Sequence, residues 1–376
     1  MLRLVRIAAA VSVLVGLPAT ALASNATTVP GTWHALPAAP SAIPQGLTSV
    51  WTGRQMIVFG RKPAMNPSVD VAESFDPATN AWRKLSPPPG PDYVPGYKAV
   101  WTGKQMLAFG AFHSVAYDPQ KNTWRELRKG INQGIVIWTG HEAIGWGGGC
   151  CGDAQSNGVA YNPLTDTYRK LPRSPLAPSQ QPVGDWTGHE LLLFVSGYGP
   201  DGRPYPARLA RGAAYNPTTN TWRRIRPFPL SGPAARGVAA WDGHELLVAG
   251  AGKSARSAFA FNPVTNRWRS LAALPFGRVG ASAMWTGMQL LLWGGTKSGG
   301  SSLKDGVAYD PSTGHWSSIQ QAPLRARSGS AVAWTGRSLL VWGGEIGTPA
   351  GTTTPPAFPP DGAVFTPTTQ QLACGG

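Results

Sequence analysis

The sequence predicts an all-β fold: a seven-bladed β-propeller of four-stranded antiparallel blades, its ring closed by an N-terminal strand. Three observations lead there. One unit recurs seven times along the 376 residues. Gly (47) and Pro (36) are too frequent for a helical protein, yet 42% apolar residues and 16 Trp are ample for a core. A segment near the N-terminus also reads as a last strand that lacks the three before it. The aromatic and apolar content excludes disorder, and the absence of a three-residue Gly period excludes collagen.

The repeat justifies each element in turn. Trp-Thr-Gly recurs at Trp51, Trp101, Trp138, Trp186, Trp241 (with Asp for Thr), Trp285 and Trp334. Eight residues later stand Phe59, Phe109, Trp146, Phe194, Ala249, Trp293 and Trp342, followed by Gly in six of the seven copies. An aromatic then precedes the third-to-fourth-strand turn, which in most copies is Asp/Asn-Pro: Phe75, Tyr117, Tyr161, Tyr215, Phe261, Tyr309 and Phe365. Seven residues beyond these come Trp82, Trp124, Tyr168, Trp222, Trp268, Trp316 and Leu372. Each copy is therefore four apolar runs with turn signals between them. Thr-Gly joins runs one and two, with Gly at positive φ. Asp-Pro-x-Thr-Asn joins runs three and four, with Pro presetting φ and Asp or Asn bonding back to the backbone. One such sheet cannot cover both its faces, so the copies stack, and closing the stack leaves only short protected edges.

Leu339-Leu-Val-Trp-Gly-Gly344, Tyr309-Asp-Pro-Ser-Thr-Gly-His-Trp316 and Pro323–Ala331 resemble the kelch repeat family, including the central propeller of galactose oxidases. The resemblance covers nearly the whole chain after residue 23. It departs in copies one, two, four and five, where the double glycine is lost or altered. It implies a propeller. Copper-radical chemistry of the galactose oxidase type needs two Tyr, two His and a Cys–Tyr crosslink; no matching motif is present, so no copper ligand is assigned and no cofactor is expected.

Ring closure is also legible. Trp33, in Thr32-Trp33-His34-Ala35, precedes Trp51 by 18 residues, within the internal range of 14 to 19. It is expected to supply the fourth strand of blade seven, where Leu372 replaces Trp.

The first 23 residues read as an export signal: Arg3 and Arg6, an apolar Ile7–Leu17, and the small-residue site Ala21-Leu22-Ala23. Residues 24–376 then form a single propeller domain, secreted to the extracellular space or cell envelope. No apolar run reaches the ~20 residues of a membrane span. Cleavage leaves 31 basic against 18 acidic residues, a net +13. That charge favours anionic surroundings such as acidic glycans or cell-wall polymers. No long Lys/Arg run points to specific nucleic-acid binding, and a monomer is expected. Cys150, Cys151 and Cys374 are an odd set for an oxidising compartment. Either one of the adjacent pair bridges to Cys374, or the pair forms a strained vicinal bridge.

Hairpin lengths hold constant, whereas the connections between strands two and three run from 8 residues (Phe109 to Tyr117) to 23 (Trp342 to Phe365). The links between blades vary too, and both sets emerge on one face. Binding lives on variable loops held by a rigid scaffold, so any site belongs to this elaborated face. Approaching the first strands are Gln45, Gln133, Gln181, Arg236, Arg278 and Arg327. The three arginines come from consecutive blades, and converging forks would hold a carboxylate, sulfate or phosphate. The competing role is structural, each Arg bonding backbone carbonyls. Asp185 is the acid nearest this mouth. His141-Glu142, His189-Glu190 and His244-Glu245 invite a metal reading, but they are hairpin tips of different blades, too far apart to share an ion. Tyr93, Tyr97, Tyr198, Asp201, Tyr205, Arg203 and Arg208 are loop candidates for recognition.

The leading expectation is a secreted, non-catalytic binding propeller for a protein or anionic glycan. The alternative is a sugar-processing enzyme (epimerase, oxidase or lyase) with its pocket at the channel mouth. A purely structural envelope module is the third.

Overall fold

The computed structural model describes residues 28–43, 45–62, 69–89, 96–110, 113–128, 130–131, 134–149, 152–230, 237–297, 300–347 and 356–368. Residues 1–23, the three cysteines, Tyr93, Gln133, Arg236 and Leu372 lie outside them.

Among the described residues seven sheets form, each built on four antiparallel blade strands that follow one another along the chain in six blades, while the seventh takes its outer strand from the N-terminal segment. Their inner strands are Gln45–Trp51, Tyr97–Trp101, Ile135–Trp138, Val183–Trp186, Val238–Trp241, Ser282–Trp285 and Ala331–Trp334. Each inner strand touches the next, and the seventh touches the first, so the ring is closed around a central channel.

The second strands explain the run of large apolar residues after each Trp-Thr-Gly. Leu191–Phe194, Leu290–Trp293 and Leu339–Trp342 are buried at every position. A strand covered on both faces reads as a continuous apolar run rather than an alternating one. Alternate residues then face opposite neighbours: Leu290 and Leu292 pack toward blade five, Leu291 and Trp293 toward blade seven. Among the described residues there are seven such apolar clusters, one for each interface between consecutive blades, including seven against one. Burying one Leu- or Phe-sized side chain in such an interface contributes ~1.5–3 kcal/mol.

The turns show why Thr and Asn recur. Thr52 accepts the Gln55 amide at its hydroxyl (2.9 Å) and donates that hydroxyl to the Gln55 carbonyl (3.1 Å). Gly53 between them has φ +90°. In blade five the Asp242 carboxylate replaces the hydroxyl, accepting the His244 and Glu245 amides. At the other hairpin, Asn80, Asn122, Asp166, Asn220 and Asn266 all sit at φ of 51–54°. Tyr117, Tyr161 and Tyr215 donate their hydroxyls to this left-handed residue five positions on, at 2.7–3.0 Å.

Closure occurs as the spacing predicts, with an addition. Gly31–Ala35 pairs antiparallel with Gly362–Pro367, and Trp33 stands opposite Phe365. Just before it, Thr28–Val29 adds a short parallel strand outside blade six, pairing with Ser318 and Ile319. The N-terminal segment thus clasps two blades.

The outer-strand Trp residues are staples between blades. The indole N–H of Trp33 donates to the Gln320 carbonyl, Trp82 to Pro37, Trp124 to Ser86, Trp222 to Pro172, Trp268 to Arg226 and Trp316 to Ala272, at 2.7–3.2 Å. Each acceptor lies just past the outer strand of the preceding blade. Trp is used because it joins a large apolar ring to a donor.

Candidate functional site at the elaborated mouth of the channel

Inner strands begin at the elaborated face and end, at Trp, on the uniform one. Their starting ends therefore ring the mouth where the sequence places a site.

Arg278 and Arg327 have side chains with no exposed surface. Arg278 Nη1 donates to the carbonyls of Gly294 and Asp305 (3.0 Å each), and Nη2 donates to Asp305 Oδ1 (2.9 Å). Arg327 repeats the pattern one blade on, with Nη1 to the Gly343 carbonyl (3.2 Å) and Asp361 Oδ1 (2.6 Å), and Nε to the Arg325 carbonyl. Each guanidinium clamps the connection between strands two and three of its own blade. The Arg327 carbonyl also accepts the Gly295 amide of blade six at 3.0 Å. A Cβ on Gly294 would lie 2.7 Å from that carbonyl, which is one reason for the double glycine. The fold thus encloses these two arginines separately instead of joining their forks at the mouth. Blades four and five reverse the clamp: Arg211 and Arg256, which occupy the places of Asp305 and Asp361, reach the Leu230 and Leu274 carbonyls.

Gln181 is exposed just before the inner strand of blade four. Gln45 opens the inner strand of blade one opposite Arg61. Arg236, Gln133 and Cys150, Cys151 and Cys374 fall outside the described residues.

Asp185 bridges two blades. Its Oδ1 accepts the Trp186 amide (2.8 Å) and its Oδ2 the Trp241 amide of blade five (2.9 Å). Inner strands are sheet edges with unpaired amides, and this carboxylate satisfies two of them. Burial pushes its pKa up, against the pull of both amides. Thr48 serves the Ala99 amide in the same way at the junction of blades one and two.

At the His-Glu tips each glutamate is engaged by a cation of the same blade. The partners are arginines on the outer strands: Glu142 with Arg169, Glu190 with Arg223 and Glu245 with Arg269. Arg169 continues to the Tyr215 hydroxyl of the next blade at 2.7 Å, and Arg125 to that of Tyr161 at 3.1 Å. Among the described residues no group of three or more His, Cys, Asp or Glu is placed to hold a metal ion.

Of the loop tyrosines, Tyr205 is half-buried and packs against the interface of blades three and four. Tyr97 is not a loop residue. It opens the inner strand of blade two, is buried, and donates its hydroxyl to Asp70 Oδ2 (2.7 Å), while Arg61 Nε donates to Asp70 Oδ1 (2.8 Å). Burial, with Asp70 next, drives the Tyr97 phenol pKa far up.

Two residues escaped the sequence reading. Glu73 lies between blades seven and one, 1% exposed, with neither carboxylate oxygen in a well-formed hydrogen bond. Burial raises its pKa over the opposing effects of Ser41, Lys84 and Lys62. Lys98 is the second residue of blade two's inner strand and is exposed. It and Asp185 are the only charged residues on the seven inner strands. The signal that would have found it is an odd charge at a repeat position that is otherwise uncharged.

No protein-family model matches the chain, and no curated protein sequence does. Among solved structures it is similar to one described as a novel fungal alcohol oxidase with catalytic diversity among the AA5 family, in complex with copper. The identity is 14% and the TM-score 0.67, over 92% of this chain and 79% of that one. The likeness shows that the two chains share a fold. It also corrects the leading expectation of a non-catalytic binding propeller. The same ring carries an oxidase there, so a repeat without a recognisable catalytic motif does not mark a binding-only chain.

Proposed function

We propose that this chain is an exported enzyme of kelch-like architecture that processes a sugar or alcohol hydroxyl at the elaborated mouth of its channel. Oxidation comes first among the reactions open to it. The observation that carries this reading is the match of 92% of the chain to an alcohol oxidase. An oxidase removes two electrons and two protons from a carbinol; with dioxygen as acceptor the products are a carbonyl compound and hydrogen peroxide.

The copper of the matched oxidase is not carried over. His141, His189 and His244 are exposed tips of separate blades. His113 is buried against the Pro89 carbonyl at 2.9 Å. His34 and His315 lie on the outer strands of blades seven and six. These placements do not make a copper centre among the described residues. The net charge of +13 after cleavage favours substrates borne on acidic glycans.

The chain from Ser24 should produce peroxide from at least one of galactose, glycerol, benzyl alcohol or a uronate-containing oligosaccharide, read with a peroxidase-coupled dye. Each assay is run before and after incubation with Cu(II). No peroxide from any of them in either state would sink the oxidase reading.

A further inference from the structure

Lys98 is set apart from its equivalents in the repeat. At the same register, the other inner strands carry Thr48, Ile135, Val183, Val238, Ser282 and Ala331. Those six are half-buried or buried, whereas Lys98 is exposed. Among the described residues, the strands beside it carry no charge. The second strand of blade two, opposite it in the sheet, reads Met-Leu-Ala-Phe-Gly, and the adjacent inner strand of blade three reads Ile-Val-Ile-Trp. Blade one's inner strand, on its other side, has no titratable residue either. On its own strand, Tyr97 is committed to Asp70. Among the described residues, no ion pair or hydrogen bond engages the Lys98 ammonium. The residue is thus exposed on an inner strand while its neighbours there carry no counter-charge. Burial within the ring pulls its pKa below the usual lysine range. Such surroundings turn an ammonium into a nucleophilic amine.

We infer that Lys98 is a carbonyl-capturing amine at the channel mouth, taking small aldehydes or ketones of the sugar type. Its Nζ adds to the carbonyl carbon. The carbonyl oxygen then leaves as water with the two amine hydrogens, and a C=N bond joins substrate to Lys98. Electrons and atoms balance without a further reactant. The inference deepens the enzyme reading above and rests on the mouth being where substrate enters; a carbonyl compound is also what oxidation of a carbinol yields.

Reductive trapping tests it. The chain from Ser24 is incubated with glycolaldehyde and cyanoborohydride at neutral pH, and adducts are mapped by peptide mass. Lys98 should be modified several-fold faster than Lys104, an exposed lysine at a hairpin tip of the uniform face. Its rate should also level off at a lower pH. Lys98→Arg, which keeps the charge but forms no imine, should abolish that adduct and leave labelling of Lys104 intact; near-ultraviolet circular dichroism checks its fold. Labelling of Lys98 at or below the rate of Lys104 overturns the inference. The peroxide assay separates the two proposals. Preferential Lys98 labelling without peroxide upholds this inference and removes the oxidase; peroxide without preferential labelling does the reverse.

Discussion

Single residues in this ring act mostly as ties between blades. The indole of Trp222 illustrates the scale: its ring packs at the interface of blades three and four, and its N–H reaches the Pro172 carbonyl at 3.0 Å. Trp222→Phe keeps most of the ring and loses the donor, so chemical denaturation should show a loss of ~0.5–1.5 kcal/mol, plus a small packing loss. Glu73 is the opposite case, a buried carboxylate that the fold leaves poorly satisfied. Its folded pKa is raised above the ordinary 4.5, so the folded state favours the protonated form. The stability this group contributes is present below its unfolded pKa and is lost as pH rises through the folded value. Glu73→Gln should therefore melt higher than the parent at neutral pH, and the gap should close under acid conditions below the ordinary glutamate pKa. A constant gap at both pH values would contradict the assignment. Neither residue's role was legible from spacing. Trp222 was recognisable as a strand residue, but its acceptor lies 50 positions away.

At the level of the element, the connection between strands two and three is what the buried arginines hold. Arg327 satisfies three protein oxygens at once, from Arg325, Gly343 and Asp361. Arg327→Met would strip those oxygens of their donor, although half-exposed Asp361 regains water. A loss of ~2–4 kcal/mol follows. Arg327→Lys should recover only part, since an ammonium cannot reproduce the planar fork. Denaturant titration of both variants checks this, and a Met variant as stable as the parent would exclude the clamp. The hairpins show what sequence can deliver at this scale. Thr-Gly and Asp-Pro-x-Thr-Asn are local chemistry, and the structure places a bonded Thr52 and a left-handed Asn80 where those motifs stand. The arginine clamp was only half legible. The repeating Arg could be seen, but Asp305 and Asp361 lie 27 and 34 residues away, in the connections that vary most.

The whole molecule depends on closure, because each interface cluster needs both of its blades. Gly31–Ala35 completes blade seven, and Thr28–Val29 extends blade six. Deleting residues 30–37 removes Trp33, its bond to Gln320 and its ring contact with Phe365. The outer edge of blade seven is then bare. A fall in melting temperature on the order of 10 °C or more is expected, since each kcal/mol is worth ~2–4 °C in chains of this size or somewhat smaller. Scanning calorimetry reads it. A circular permutant that carries the same residues after 368 should restore much of the loss, because the clasp would then be covalent.

By itself, the sequence determined the repeat number, the four strands per blade, the turn chemistry and the closing strand. All of these follow from periodic positions that each copy satisfies locally, which is why seven copies speak with one voice. The tertiary structure decided which exceptions to the repeat matter. Arg278 and Arg327 had the right residue type for an anion site, but folding places carbonyls and a carboxylate around each guanidinium before any ligand can reach it. Asp185, read as a lone acid, bridges two edge amides because blades four and five meet there. Lys98 was visible in the sequence only as the one charge at its repeat position, which assigns it no role. Only the closed ring gives it uncharged neighbouring strands, an open approach and a pKa drawn downward by desolvation. Those properties come from neighbours distant along the chain, and a local pattern cannot encode them.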